Sequence, residues 1–238
     1  MTPTGTNTIT PTFTRTLVPT SSPTLTRTLT ATPRPQSLRG IDQGCINEKY
    51  WKVSASTGTI KPTPTGNCYS LIDWGMIAND GRLSIVISNP PNVTRAIYTA
   101  FSSYQEVEVA FDIKVNKLSK NNTDDHVLVV GVGRSDALLT DGHFIFYRVY
   151  SGSPKVRLEY GENMRDVDRP EYLGEYLLET PQKLKFVING LRLEIYDGEN
   201  LLKQVLLESK DHQGFWIGYR VADNGVIDAE ISNLRISK

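Results

Sequence analysis

The stretch "EVEVAFDIKV", residues 106–115, decides the fold class. Val107, Val109, Phe111, Ile113 and Val115 fall on one side of an extended chain, and Glu106, Glu108, Asp112 and Lys114 on the other. Side chains two apart on a strand share a face, so this is a strand with one buried and one solvated side. Outward from it, "RLSIVIS" (82–88), "HVLVVGV" (126–132), "HFIFYRVY" (143–150), "KVRLEY" (155–160) and "QKLKFVI" (182–188) read the same way. Asx-Gly pairs beginning at Asp80, Asp141, Asn189, Asp197 and Asn224 punctuate them as turns. No stretch holds helical periodicity over three turns.

Two hairpins are specific enough to assign a register. In "LKFVINGLRLEIY" (184–196) a two-residue Asn189-Gly190 turn sets Ile188 opposite Leu191, Phe186 opposite Leu193 and Leu184 opposite Ile195, with Lys185 across from Glu194 on the other face. In "IDWGMIANDGRLSIVIS" (72–88) a turn at Asp80-Gly81 pairs Trp74 with Ile87, Met76 with Ile85 and Ala78 with Leu83, which makes Trp74 a core residue. Strands with one apolar face each, and no helices, require two packed antiparallel sheets.

The first 35 residues are different in kind. They hold fourteen Thr and six Pro, no Asp or Glu, and almost no aliphatic pattern. So little apolar surface does not offset the roughly 1 to 2 kcal/mol per residue needed to order a backbone, and Thr-Pro repeats favour extension, so the expectation is a disordered spacer. The formal charge of the 238-residue chain is zero, with 26 basic and 26 acidic residues. Arg15, Arg27, Arg34 and Arg39 lie in or beside the spacer, so residues 40–238 are mildly acidic. Neither part has the clustered cations that attract a nucleic-acid backbone, which excludes a nucleic-acid partner.

No apolar run is long enough to span a bilayer, and Met1 is not followed by a signal sequence. A Thr/Pro spacer before a folded domain suits an extracytoplasmic, secreted or cell-surface protein whose export signal and membrane or cell-wall anchor lie upstream. The two cysteines agree: a Cys45–Cys68 disulfide would close a loop of about two dozen residues, worth roughly 3 kcal/mol, and such bonds persist only in oxidising compartments; the alternative is two buried free thiols in a cytosolic protein.

The order "HFIFYRVYSGSPKVRLEYGEN" (143–163), "LKFVINGLRLEIYDGENLLKQV" (184–205) and "GFWIGYRVADNGVIDAEISNLRIS" (214–237) resembles the concanavalin A-like lectin/glucanase superfamily. It is similar above all to laminin G-like jelly rolls and to domains related to 3-keto-disaccharide hydrolases. The resemblance rests on hairpin order, on the NG-x-x-x-E-x-Y-x-G stretch and on the aliphatic "NLRI" finish. It implies an all-β fold, a two-sheet antiparallel jelly-roll sandwich over residues 39–238, and composition makes residues 1–38 the disordered Thr/Pro-rich linker before it. It also implies that the last strand closes the sandwich beside the first, with Phe215, Ile217, Tyr219, Ile227, Ala229 and Ile231 inward, and that a concave face or rim loop binds glycan.

A shallow sugar site needs a flat aromatic platform and fixed polar groups. Trp216, opposite in phase to the core residues of its strand, is the expected platform. Arg220, Arg148 and Arg157 are the forked donors, and Tyr98 and Tyr150 the secondary stackers. The blander reading is of scattered surface residues, with Arg220 balancing a carboxylate. A hydrolase is the rival: glycosidases of this superfamily carry Glu-x-Asp-x-x-Glu on one strand. Here Glu106 with Glu108, and Asp228 with Glu230, each supply only part of that pattern and read equally as solvated faces.

His126, His143 and His212 show no zinc-ligand spacing, "GVGRSD" (131–136) reads as strand rather than as a dinucleotide loop, and no nucleophile elbow occurs. No cofactor is expected. "NNTDD", "YDGEN" and "VADNG" offer oxygens to a structural calcium and are equally explained as turns. The charged connection at 160–176 is a candidate surface for a protein partner, in the manner of an adhesion module. Together these features point to a non-catalytic, lectin-like carbohydrate-binding module on a tether.

Overall fold

The computed structural model describes residues 36–37, 41–42, 45–56, 59, 61–79, 81–88, 92–100, 106–121, 126–135, 137–150, 153–163, 170–208, 214–222 and 225–237. Residues 1–35, which the linker reading concerns, lie outside the described residues.

Two antiparallel sheets face each other. Sheet A runs, in spatial order, β17 (Asn200–Leu206), β16 (Arg192–Asp197), β15 (Gln182–Asn189), β9 (Glu106–Leu118), β19 (Val226–Ser237), β7 (Arg82–Ser88) and β6 (Met76–Asn79). Sheet B runs β14 (Glu171–Leu177), β13 (Lys155–Gly161), β12 (Gly142–Tyr150), β11 (Val127–Gly133), β18 (Gly214–Val221), β8 (Val93–Ala100) and β4 (Lys52–Ala55). The short β1 (Gln36–Ser37) pairs with β19, and β10 (Lys120–Asn121) pairs with β12 in parallel. A small third sheet joins β2 (Ile41–Asp42), β3 (Cys45–Asn47) and β5 (Cys68–Tyr69). The Cys45–Cys68 disulfide ties the last two strands together, with Cα atoms 5.7 Å apart.

Alternation is converted directly into packing. Val107, Val109, Phe111, Ile113 and Val115 of β9 are buried, as are Phe215, Ile217 and Tyr219 of β18 and Ile227, Ala229 and Ile231 of β19. Phe215 from sheet B meets Phe111 and Phe186 from sheet A at ring-centroid separations of 5.3 and 6.1 Å, so one aromatic trio joins the layers. The final two strands do not form a hairpin. β18 lies in sheet B and β19 in the middle of sheet A, between β9 and β7, so the chain crosses between layers after Val221. Beside the last strand lies β1, with Gln36 opposite Ile236 and Ser37 opposite Arg235; these two residues fall inside the span first assigned to the linker.

The turn at Asp80-Gly81 has the expected register, Met76 opposite Ile85 and Ala78 opposite Leu83. Trp74 is buried but lies one step off the ladder, in a single 3-10 turn (Ile72–Trp74) ended by Gly75 at φ 67°. The second hairpin keeps its faces and changes its partners. Ile188 pairs with Leu193 and Phe186 with Ile195, because Gly190 and Leu191 form the turn instead of Asn189 and Gly190. Only Gly190, at φ 62°, takes the left-handed conformation, so a turn needing positive φ at both Asn189 and Gly190 is not formed. Lys185 consequently sits opposite Tyr196 and holds its ammonium 4.7 Å from that ring, while Glu194 accepts from Tyr196 and Arg192.

Candidate functional site

The register of sheet B brings all six candidate ligand residues to one face, the one turned away from the sandwich core. Tyr98 opposes Trp216, Trp216 opposes Gly131, and Gly131 opposes Phe144. Two rows along, Arg220 opposes Val127; at the far side Arg148 opposes Arg157, which opposes Glu175 of β14. Tyr150 follows Arg148 on the same face of β12. No motif unites these residues in sequence; the strand order does.

The face divides into an apolar and a charged zone. Ala96, Val127, Val129, Leu139, Phe144, Phe146 and Trp216 form a second hydrophobic cluster, separate from the main core. Trp216 is 0% exposed, packs on Tyr98 with centroids 4.4 Å apart, and donates from Nε1 to the Arg134 carbonyl at 3.1 Å. The expected solvent-open indole is therefore corrected. Trp216 does point away from the core, but the connection between β11 and β12 folds Leu138 and Leu139 onto that side of the sheet. Gly131, between Trp216 and Phe144, leaves no room for a side chain: a Cβ there would lie 2.3 Å from the His143 carbonyl oxygen.

The charged zone is built from β12, β13 and β14. Arg148 is also corrected, since its side chain is wholly buried rather than presented to a ligand. Its Nη1 lies 3.2 Å from Glu159 Oε2 and donates to Tyr150 Oη at 3.2 Å, while Tyr150 Oη donates to Glu159 Oε1 at 2.9 Å. Burial pushes the Tyr150 phenol above its ordinary value; the hydrogen bond from Arg148 opposes this and the one to Glu159 reinforces it. Tyr150 is thus a protonated donor throughout the physiological range.

Outside this triangle, Arg157 places its guanidinium 4.6 Å from the Tyr150 ring and 5.7 Å from the Tyr172 ring. Its Nε donates to Glu175 Oε1 at 3.1 Å, and Lys155 reaches the same carboxylate at 3.4 Å. Tyr172 is 56% exposed. The corner presents a flat exposed ring, a stacked guanidinium and a carboxylate, the groups that hold sugar hydroxyls and the apolar face of a pyranose. Glu159 was readable beside Arg157 from the alternation of "KVRLEY". Tyr172 and Glu175 were not, because a bulge between Leu158 and Glu159 re-phases β14 against β13. The connection at 160–176 is correspondingly shorter than the sequence suggested: Glu171–Leu177 is strand, and residues 164–169 lie outside the described residues.

The carboxylate pairs of the hydrolase reading lie on the outer face of sheet A. Glu106 and Glu108 are exposed, Asp228 accepts from Asn116 at 2.9 Å, and Glu230 lies 3.4 Å from Arg82. Among the described residues no group of three or more His, Cys, Asp or Glu side chains could hold a metal ion. Of the calcium candidates, "YDGEN" is the tight β16–β17 turn, whereas Asn122–Asp125 and Asp223–Asn224 lie outside the described residues. No helix of the described residues is long and apolar enough to cross a membrane.

No protein-family model matches the sequence, and no curated protein does. Solved structures do match. A family 16 glycosyl hydrolase from Mycobacterium smegmatis aligns with TM-score 0.56 at 10% identity, over 83% of this chain and 97% of its own. The marine family 7 alginate lyase AlyA1 from Zobellia galactanivorans gives 0.51 at 17%, over 81% and 96%. The metal-free carbohydrate recognition domain of Emp46p gives 0.51 at 13%, over 85% and 94%. At such identities the likeness establishes the fold: a concanavalin A-like jelly roll, the architecture that the three C-terminal sequence blocks resemble.

Proposed function

We propose that this jelly roll is a non-catalytic, lectin-like module that binds a saccharide chain at the Tyr150–Arg157–Tyr172 corner of sheet B. The observation that carries the reading is the Arg157 guanidinium held between two tyrosine rings, one of them open to solvent. Tyr172 supplies the stacking surface, Arg157 the forked donors, and Glu175 an acceptor, while the buried Arg148–Glu159–Tyr150 triangle holds the corner rigid from beneath. Tyr98 and Arg220, half-buried on the same face, extend the surface toward β8 and β18. Trp216 and Arg148 act in this reading as supports, not as contacts. The structural neighbours, by name a carbohydrate recognition domain, an alginate lyase and a glycosyl hydrolase, make a glycan partner the coherent choice. The disulfide fits an oxidising, extracytoplasmic setting, with the Thr/Pro-rich residues before β1 as the tether.

Glycan-array screening of the full chain, followed by titration of the best oligosaccharide, tests the reading. Tyr172→Ala and Arg157→Gln should each weaken binding at least tenfold while leaving the thermal transition within a few degrees of the parent. Binding that survives both substitutions, or an array without signal, overturns it.

A further inference from the structure

The outer face of sheet A holds a second polar site. The pairing of β19 with β9 slips between Ser232 and Arg235, and Asn233, in the slip, adopts φ 54°. The interruption opens a groove of about 390 Å³ whose walls include Ala110, Asp112, Lys183, Lys185, Asn233 and Arg235. Gly198 and Glu199 of the β16–β17 turn close one end of it, and its other polar residues fall into two rows across three adjacent strands. In one row Ala110 of β9 stands opposite Lys185 of β15 and opposite Arg235 of β19. In the next, Asp112 stands opposite Lys183 and Ser232, and Asn233 Nδ2 donates to Asp112 Oδ2 at 2.6 Å.

The first row has the geometry of an oxyanion clamp. Adjacent strands lie about 4.8 Å apart, so Lys185 and Arg235 are rooted roughly 10 Å from one another with only a methyl group between them. Two long cationic side chains leaning over such a gap can both reach one carboxylate or sulfate. Neither they nor Lys183 take part in any described ion pair; Lys185 lies 4.7 Å from the Tyr196 ring, and its charge, after the hydrogen bond from Tyr196, helps hold the Glu194 carboxyl below its ordinary value. The second row has opposite character. Asp112 would repel a bare polyanion, but its carboxylate and the Asn233 amide accept from and donate to hydroxyl groups, and a sugar carries these beside its acid group.

We propose that this groove is a second saccharide site, selective for an acidic sugar residue, with the oxyanion between Lys185 and Arg235 over Ala110 and a neighbouring hydroxyl at Asp112 and Asn233. The site lies on the sheet opposite the Tyr150–Arg157–Tyr172 corner and stands independently of it. The shared chemistry is an oxyanion, borne by a uronate carboxylate or by a sulfate ester.

Calorimetric titration of the full chain with oligogalacturonate, sulfated dextran oligomers, neutral dextran oligomers and inorganic sulfate tests the proposal. At least one acidic oligomer should bind, more weakly as NaCl is raised, and neutral dextran and free sulfate should bind at least tenfold more weakly. The Lys185→Gln/Arg235→Gln double variant and Ala110→Leu, which fills the floor, should each reduce acidic-oligomer binding at least tenfold, whereas Tyr172→Ala should leave it unchanged. Failure of both acidic oligomers to bind, free sulfate or neutral dextran binding as tightly as they do, indifference to the groove variants, or loss on Tyr172→Ala would each overturn the assignment. Loss of glycan-array binding through Tyr172 alone would concern the other sheet and leave this groove standing.

Discussion

Arg148 shows how much a single side chain here depends on its surroundings. A fully buried guanidinium is tolerated because Glu159, itself nearly buried, faces it at 3.2 Å and Tyr150 bridges the two. Burying both charges costs several kcal/mol per ion before their attraction is counted, so breaking the pair is worse than removing it. Arg148→Met, which removes the cation facing Glu159, is expected to destabilise the fold by about 3 to 5 kcal/mol, and Arg148→Met/Glu159→Leu by clearly less than that. Urea unfolding of the three proteins checks this; a double variant less stable than the single one would show that the pair is a net stabiliser. The alternation of "HFIFYRVY" put Arg148 on the side away from the core. It did not show that this side is itself covered, because period two separates the faces of a strand without saying what lies against each.

At the scale of the element, the β15–β16 hairpin separates what local pattern decides from what turn geometry decides. Alternation alone ensures that Leu184, Phe186 and Ile188 share a face with Leu193 and Ile195, and they do. The choice between an Asn189-Gly190 and a Gly190-Leu191 turn moves the partners by two residues without changing the faces, so hydrophobic pattern cannot arbitrate it. With only Gly190 at positive φ, Gly190→Ala should cost about 1 to 2 kcal/mol, whereas Asn189→Ala should stay within about 0.5 kcal/mol of the parent. Thermal unfolding distinguishes the two, since a turn of the Asn-Gly type would make both substitutions costly. The bulge in β14, where Leu173 has no partner on β13, has the same status. One slip between Leu158 and Glu159 brings Tyr172 onto the face that Glu175 shares with Arg157, and no composition signal marks it.

For the whole molecule, the interior between the sheets is apolar enough to hold phenols in their neutral form. Burial pushes Tyr219 up to about 12 against the opposing influence of Arg95, and its hydroxyl donates to the Trp74 carbonyl at 2.6 Å. Burial also raises Tyr147 well above its ordinary value. An unfolded tyrosine ionises near pH 10, so between pH 10 and 12 the unfolded chain sheds a proton that the folded one keeps. Stability from this source is complete below pH 10 and is lost as pH rises toward 12, by on the order of 2 to 3 kcal/mol for Tyr219. Urea midpoints measured from pH 8 to 11.5 should fall in the upper part of that range, and Tyr219→Phe should flatten the fall while lowering the neutral-pH midpoint.

Sequence by itself determined the fold class, the faces of the strands and the Asp80-Gly81 register, because each follows from local period or turn chemistry, and its inventory of two made Cys45–Cys68 the one internal disulfide available, which the structure forms. It also put Trp216 and Arg220 on the side of their strand opposite Phe215, Ile217 and Tyr219. Tertiary structure alone decided which of the candidate ligand residues meet, that Trp216 and Arg148 are roofed over, and that Tyr172 and Glu175 join Arg157. It also decided that Lys185, Ala110 and Arg235, drawn from three distant stretches, line up across β15, β9 and β19. The reason is that side-chain phase is a property of one strand, whereas neighbours, cover and slips in pairing belong to the order in which strands are laid side by side.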